Sequence, residues 1–400
     1  MSRTQPRTTR GRLLATMSAL AGAASLLLLV LTGCSGKTGG TATAQASTAA
    51  AKAPVTPIPF KIGIMVGTVS QGEDEFRAGQ MVVAKYGADH VKMVTYPDNF
   101  MQEQETVISQ LVGLSSDPDV KVIVVGQAVP GTVAAVRKIR EKRPDILIGM
   151  VEPHEDPDVV NAAADISIQP DQLARGRTIV AVAKKMGVTD LVHYSFPRHM
   201  SMELLAKRRD IMKQACAENG IKFHFVTAPD PMGEGGLPAT QQFVMEDVPR
   251  ELKQFGPKTA FFSTNCGMMD PMIRTVLNDG GYVPEQCCPS PTHGYPTALG
   301  IAIPPDKAGD FTYINAENKR VIAAHHMTGH FATWPVPEVM LSIRAMTDLL
   351  VDSAMKKADY KDFAAVKASM ESHAGVPITL TKYDEKKGNS YLFLVNNIYY

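Results

Sequence analysis

The sequence predicts an α/β protein built as two doubly wound parallel-sheet lobes, with a hinge and an interlobe cleft. Three observations carry that prediction. From Phe60 onward, short continuous apolar runs alternate with segments of helical period, the pattern of a parallel sheet covered on both faces. The alternation restarts after Gln169, which puts two such sheets in series. The 400 residues, 44% of them hydrophobic, supply length for about two domains of ordinary globular composition.

The chain opens with a segment that is not part of that fold. "MSRTQPRTTRGR" carries four arginines and no acid, and the apolar run "LLATMSALAGAASLLLLV" follows. A basic stretch, an apolar stretch and small residues make a secretory signal. Its end, Leu31-Thr32-Gly33-Cys34, resembles the lipobox of bacterial lipoproteins. That resemblance implies a signal peptide over 1–34 and makes Cys34 the lipidated anchor; the apolar run is also long enough to span a bilayer uncleaved. Either way the rest of the chain is expected outside the cytoplasm, held to the membrane. Residues 35–59 are Gly/Ala/Thr-rich and then Pro-rich, which reads as a flexible tether.

In the first lobe, "FKIGIMVG", "VKMVTYP", "VKVIVVGQ", "DILIGMV" and "AADISIQP" read as strands. "EDEFRAGQMVVAKYG", "QEQETVISQLVGLSS" and "GTVAAVRKIREKRP" are the helices between them. In the second lobe, helix "DQLARGRTIVAVAKKMG" closes on Gly187, strand "LVHYSF" follows, and helix "SMELLAKRRDIMKQACAENG" closes on Asn219-Gly220. "IKFHFVT" and "TAFFSTN" are strands, "ATQQFVMEDVPRELKQFG" and "MDPMIRTVLNDG" helices. The last hundred residues are helix-rich, broken at Pro335 and Pro337, with a late strand in "SYLFLVNNIYY". They are too few for a third sheet, so they are expected to complete the first lobe. The predicted division is 60–168 plus 300–400 for lobe 1 and 169–299 for lobe 2.

Two doubly wound lobes behind a secretion signal and a lipid anchor resemble class I periplasmic binding proteins. The crossover "ADISIQPDQLARGRTIVAVAKKMG" is similar to that superfamily's entry into its second lobe, at Asp171, Gly176, Ala181, Ala183 and Gly187. The runs "TYPDNFMQEQET", "QAVPGT", "HYSFPRHMS", "FFSTNCGM" and "CCPSPTHGYP" resemble an uncharacterised bacterial lipoprotein family of unknown function that stands beside such binding proteins. The resemblance covers roughly Lys61 to Ala345. It implies a fold, and it implies no particular ligand.

Open parallel sheets bind ligands outside the carboxyl ends of their strands, and that rule selects residues. Strand one ends in Thr68, Ser70 and Gln71; Glu73-Asp74 stand where a phosphate loop has Lys and Ser/Thr, which excludes nucleotide hydrolysis. These two acids also suit a first helical turn. Strand two ends in Asp98 and Asn99, strand three in Gln127, and strand four in Glu152 and His154, with Glu155, Asp156 and Asp158 as a solvated loop. On the second lobe, "LVHYSFPRHMS" offers Tyr194 and Phe196 as an aromatic wall and Arg198 and His199 as an anion-recognising corner; alternatively Arg198 pairs with an acid across the cleft. Thr264, Asn265 and Cys266 end a later strand, and Ser290, Thr292, His293 and Tyr295 come from the loop beyond it.

Acids on one lobe and a cation on the other fit a small bipolar or hydroxyl-rich solute. The reading is therefore a solute-binding lipoprotein that delivers its cargo to an ABC-type permease or a sensor, with no cofactor and no metal. A net charge of +1 without a basic block argues against nucleic acid. Two competing readings stay open. A metal reading rests on His326 and His330 at helical spacing, or on Cys287, Cys288 and His293. A hydrolase reading would pair Ser195 with His199, or Cys266 with His293, but neither sits in a specific nucleophile motif. A disulfide from Cys266 to Cys287 or Cys288 is compatible with an oxidising compartment. The methionines read as core filler, and Trp334 is placed either at the hinge or under the first lobe.

Overall fold

The computed structural model describes residues 55–400 except Lys387. The signal segment, Cys34 and the tether as far as residue 54 lie outside the described residues. The tether, expected to run through 59, ends earlier. The Thr56 N–H donates to the Lys85 carbonyl at 2.8 Å, and Ile58 is buried in the first-lobe core. Among the described residues no helix is long and apolar enough to cross a membrane.

The first lobe runs β1 (Lys61–Val66), α1 (Glu73–Tyr86), β2 (Val91–Thr95), α2 (Gln104–Leu114), β3 (Val120–Val125), α3 (Thr132–Lys142), β4 (Leu147–Val151), α4 (Pro157–Ala163) and β5 (Ile166–Pro170). The chain then enters the second lobe. There it forms α5 (Gln172–Lys185), β6 (Asp190–Ser195), α6 (Pro197–Met200), α7 (Glu203–Glu218), β7 (Lys222–Thr227), α8 (Gly236–Phe255), β8 (Thr259–Ser263), α9 (Met269–Asp279), α10 (Tyr295–Ala298), α11 (Phe311–Ala324) and β9 (Ala332–Thr333). It returns as α12 (Glu338–Ala354), α13 (Phe363–Ala374), β10 (Ile378–Lys382) and β11 (Ser390–Val395), and ends in β12 (Ile398–Tyr399).

The first sheet has the order β10-β11-β5-β4-β3-β1-β2. All its pairs are parallel except β10 with β11. Central strands such as β1 and β3 are apolar along nearly their whole length because helices cover both faces. At the edge, β10 alternates buried and exposed, as a strand with one wet face must. Helix α12 is buried on most sides, with Met340 and Met346 in the core beneath the sheet. The second sheet, β7-β6-β8, is parallel. Lone bridges at Tyr282 and Val283 extend it.

The lobe boundary differs from the expectation on one side. The sequence predicts residues 300–333 in lobe 1, yet Ile322, Met327 and Phe331 pack into the second-lobe core, joined by Tyr400 from the far C-terminus. The changeover falls at Trp334, which is buried in the first-lobe core. Proline content rather than hydrophobic period dominates 300–310, so the sequence carries little sign of which core those residues serve. Three segments therefore cross between the lobes: Pro170 to Gln172, Trp334 to Pro337, and Val395 to Ile398.

One carboxylate gathers all three crossings. Glu285 accepts from Arg175 Nε at 2.8 Å, Trp334 Nε1 at 3.1 Å and Asn397 Nδ2 at 2.8 Å. Glu285 and Arg175 have fully buried side chains.

Candidate functional site

The carboxyl ends of β1, β3, β4, β6 and β8 face one cavity of about 400 Å³ between the lobes. The local backbone explains how several side chains enter it. Gln127, one residue past β3, and Glu152, directly after β4, hold φ of 39° and 43°. Such left-handed geometry costs on the order of 1–3 kcal/mol per residue, and in both cases it turns a polar residue into the cavity mouth. Ser70 and Gln71 line the cavity from the turn that leads into α1.

The first-lobe rim is internally bonded. Thr68 Oγ1 donates to Asp98, Ser70 Oγ donates to Asp98 at 2.7 Å, and Gln71 Nε2 donates to the Asp98 carbonyl at 2.7 Å. Thr68 and Asp98 therefore stand behind Ser70 and Gln71, and neither lines the cavity, nor does Asn99. His154 does line it, beside Phe100. Burial and the charge of Arg198 lower its pKa to about 4, so the ring is neutral. The acids after it serve the backbone. Glu155 accepts from Val133 N–H at 2.8 Å at the start of α3, and Asp156 caps α4.

On the second lobe the aromatic wall is not where the sequence put it. Tyr194 and Phe196 are fully buried in the lobe core, because β6 is a central strand with side chains packed on both faces. Phe196 instead supports the site from below, with its ring 4.2 Å from that of His199 and 5.0 Å from the Arg198 guanidinium. Arg198 lines the cavity but makes a two-pronged pair with Asp230, at 2.9 and 2.8 Å. Its partner comes from the same lobe, on the turn after β7, rather than from across the cleft. His199 and Asn265 also line the cavity. His199 Nδ1 lies 3.1 Å from Thr264 Oγ1, which lies 2.8 Å from Ser195 Oγ. Ser195 is fully buried behind this chain of contacts. Burial brings the His199 pKa to about 3.

Helix α7 adds a cation that the strand-end rule does not select. Arg208 lines the cavity, is 1% exposed, and has no carboxylate within ion-pair distance among the described residues. It donates to Gln172, lies 5.0 Å over the Phe262 ring, and leaves Nε without a partner. Burial and the charge of Arg175 lower its pKa to about 9, which still leaves it cationic at neutral pH. Gln172 and Met202 are missed for the same reason, lying on segments that flank the strand ends, near Asp171 and the Pro197 turn. Gln169 also lines the cavity but sits in β5 near its carboxyl end, a strand end that the sequence reading leaves out.

The floor is the loop 284–294. Asp74, read as a first-turn acid, accepts from Ser290 Oγ at 2.6 Å and Thr292 Oγ1 at 2.6 Å, which ties α1 to this loop. Tyr295 is buried, and its hydroxyl donates to the Ala332 carbonyl. His293 lies off the cavity lining, while Cys266, Cys287 and Cys288 are on it. The four described cysteines are free thiols. Carboxylate oxygens of Glu152 and Glu338 meet the Cys288 sulfur within 4.8 Å. Burial and repulsion from Glu152 push Glu338 well above the usual carboxyl range. The paired histidines His326 and His330 share no helix face. α11 stops at Ala324, and His330 instead stacks on Tyr282 at 4.2 Å, with Nδ1 2.8 Å from the Gly281 carbonyl.

Comparison with known proteins matches residues 60–332 to a family described as a protein of unknown function, DUF3798. Two uncharacterized proteins of Treponema pallidum (strain Nichols) are similar in sequence. One is 40% identical over 180 residues, 44% of this chain and 81% of that protein. The other is 38% identical over 171 residues, 43% and 79%. A Clostridium difficile structure, provisionally described as a transcriptional regulator, is 22% identical. It covers 85% of this chain and 99% of its own, with a TM-score of 0.71. A periplasmic ribose ABC transporter structure from Conexibacter woesei is 12% identical over 75% of this chain and 88% of its own, with a TM-score of 0.50. The chain thus has the α/β fold of periplasmic-binding-protein-like structures.

Proposed function

The chain belongs to the DUF3798 family of proteins of unknown function, and from its site we propose that it is an extracytoplasmic solute-binding protein. It captures a small, neutral, hydroxyl-rich solute between its lobes. The observation that carries this is the cavity of about 400 Å³ lined by neutral amides from both lobes, Gln71 and Gln127 from one and Gln172 and Asn265 from the other. Its volume lies within the usual range of small-molecule sites, about 300–1,000 Å³. Amides both donate and accept, which suits hydroxyls. Several of the charged and titratable groups in the lining are paired or neutral. Arg198 is held by Asp230, His154 and His199 are neutral at physiological pH, and the charges of Arg175 and Arg208 act favourably on the ionised form of Glu152.

Closure about the three crossings brings the two sets of amides onto the solute, and the solute biases the closed state by touching both. The lipobox cysteine Cys34 anchors the protein to the membrane, and the closed form is read by a permease or a sensor.

Native mass spectrometry of gently purified full chain tests the reading. The expected result is one polyhydroxylated small molecule per chain, released on denaturation. A second arm measures thermal shifts with pentoses, hexoses and inositols. An empty protein that none of these stabilises rules the proposal out.

A further inference from the structure

A convergence of soft donors in the cavity wall is not used by the solute reading. Cys266 follows β8, while Cys287 and His293 come from the loop 284–294. A ligand atom of each lies within 4.8 Å of the other two. Cys266 and Cys287 sulfurs are 3.3 Å apart, and Cys266 and Cys288 sulfurs 3.4 Å. We propose that Cys266, Cys287 and His293 bind one thiophilic divalent cation, zinc being the ion this donor set fits, with the fourth coordination position open to the cavity.

Four observations support the assignment. The donor types are two thiolates and one imidazole, a three-ligand set that holds zinc while leaving a position for oxygen. The imidazole is already oriented. Its Nδ1 lies 2.9 Å from the Cys288 carbonyl oxygen, which accepts only a proton-bearing nitrogen, so Nε2 keeps the free lone pair. Metal-bound histidines are typically fixed by such an outer contact. The loop that carries the donors is itself held in place: Ser290 Oγ accepts from the His293 N–H at 3.2 Å and donates to Asp74. Finally, Cys266 and Cys287 line the solute cavity, so a hydroxyl oxygen of a bound molecule, or water, can complete the coordination.

The charge balances. Each coordinating thiol releases its proton to solvent, and two thiolates with one divalent cation and one neutral imidazole sum to zero. The adjoining Cys288 sulfur faces the Glu152–Glu338 carboxyls instead. Zinc–sulfur bonds of about 2.3 Å at a tetrahedral angle set two sulfurs about 3.8 Å apart. Cys266 and Cys287 would therefore part by about half an ångström.

The test uses the full chain without a histidine tag, purified under reducing conditions, given excess zinc chloride, desalted, and analysed by inductively coupled plasma mass spectrometry. One zinc per chain is expected. C266S, C287S and H293N are each expected to lower retention at least tenfold, whereas C216S, in the remote core beneath α5 and α7, retains it. Because a variant can fail to fold, the wild-type chain is also loaded with cobalt(II). A sulfur-to-cobalt charge-transfer absorption that disappears on adding zinc is expected. Zinc far below one per chain, equal retention in C266S and C287S, or a cobalt spectrum without sulfur character overturns the proposal. So does a Cys266 disulfide to Cys287 or Cys288 in a chain that takes up no zinc after reduction. No solute enters these measurements, so their failure is separable from failure of the solute-binding reading.

Discussion

At the scale of single residues, the cavity and its surroundings hold ionisable groups that burial has pushed far from their ordinary behaviour. Glu75 lies beneath the turn after β1, where it accepts from Gly67 N–H at 2.7 Å and Tyr96 Oη at 2.8 Å. Burial raises its pKa to about 8. Below the ordinary carboxyl pKa, native and unfolded chains both hold this proton. Between there and about 8 the unfolded chain loses it while the native chain keeps it, so stability falls as pH rises. Glu75→Gln preserves the shape and one acceptor and cannot ionise. It is expected to flatten that slope and to be the more stable form at pH 8, by on the order of a few kcal/mol; urea midpoints from pH 5 to 8 check it. Arg208 behaves differently because it faces the cavity. Arg208→Met keeps most of the stem and removes a buried cation that has no carboxylate within ion-pair distance among the described residues. Solute affinity measured by calorimetry should fall at least tenfold, while stability stays level or rises. An unchanged dissociation constant would remove Arg208 from the proposed site.

At the scale of elements, the period of the sequence was enough for the strands and helices of both lobes, because their apolar runs are long and their ends carry caps. Asp171 accepts from Ala174 N–H at 2.9 Å, as a residue opening α5 should. The elements it leaves out are the short α4, α6, α10 and β9, of seven residues or fewer, together with α13 and the edge strand β10, which are half exposed and so carry weak apolar patterns. For the site, the strand-end rule found residues that leave the sheet directly, such as Gln127 and Glu152. It could not find Arg208, which enters from a helix whose approach depends on packing. That approach is set by Gly176, where a Cβ would lie 2.7 Å from Ile211 and 3.0 Å from the Arg208 carbonyl. Gly176→Val must therefore separate α5 from α7. It is expected to cost about 1–3 kcal/mol and to weaken solute binding by displacing Arg208. Gly187 provides the contrast. Its φ is +80° with open space around it, so Gly187→Ala should cost about 1 kcal/mol of backbone strain and leave affinity unchanged. Urea denaturation together with calorimetry separates the two cases.

At the scale of the whole molecule, the question is how two lobes can move on three crossings and remain one folded unit. Glu285 supplies an answer, because each crossing contributes one donor to it: Arg175 just past the first, Trp334 on the second and Asn397 on the third. The pair with Arg175 lies within the second lobe, while the bonds from Trp334 and Asn397 reach the other two crossings; under the proposed closure these bonds survive best if Glu285 lies near the axis, where displacement is least. Sequence alone gave no sign of this, since the four residues are spread from 175 to 397 and meet only after both lobes have formed. Removing the acid leaves Arg175 buried without its charge partner, a loss that typically costs about 3–5 kcal/mol. Glu285→Ala is expected to lower stability by that order and to loosen the lobes together. Small-angle scattering of the solute-free variant should show a larger radius of gyration than the parent chain, and added solute should compact it less. A variant that unfolds within about 1 kcal/mol of the parent and keeps its scattering profile would mean that the crossings are held independently, and that lobe motion does not turn on this carboxylate.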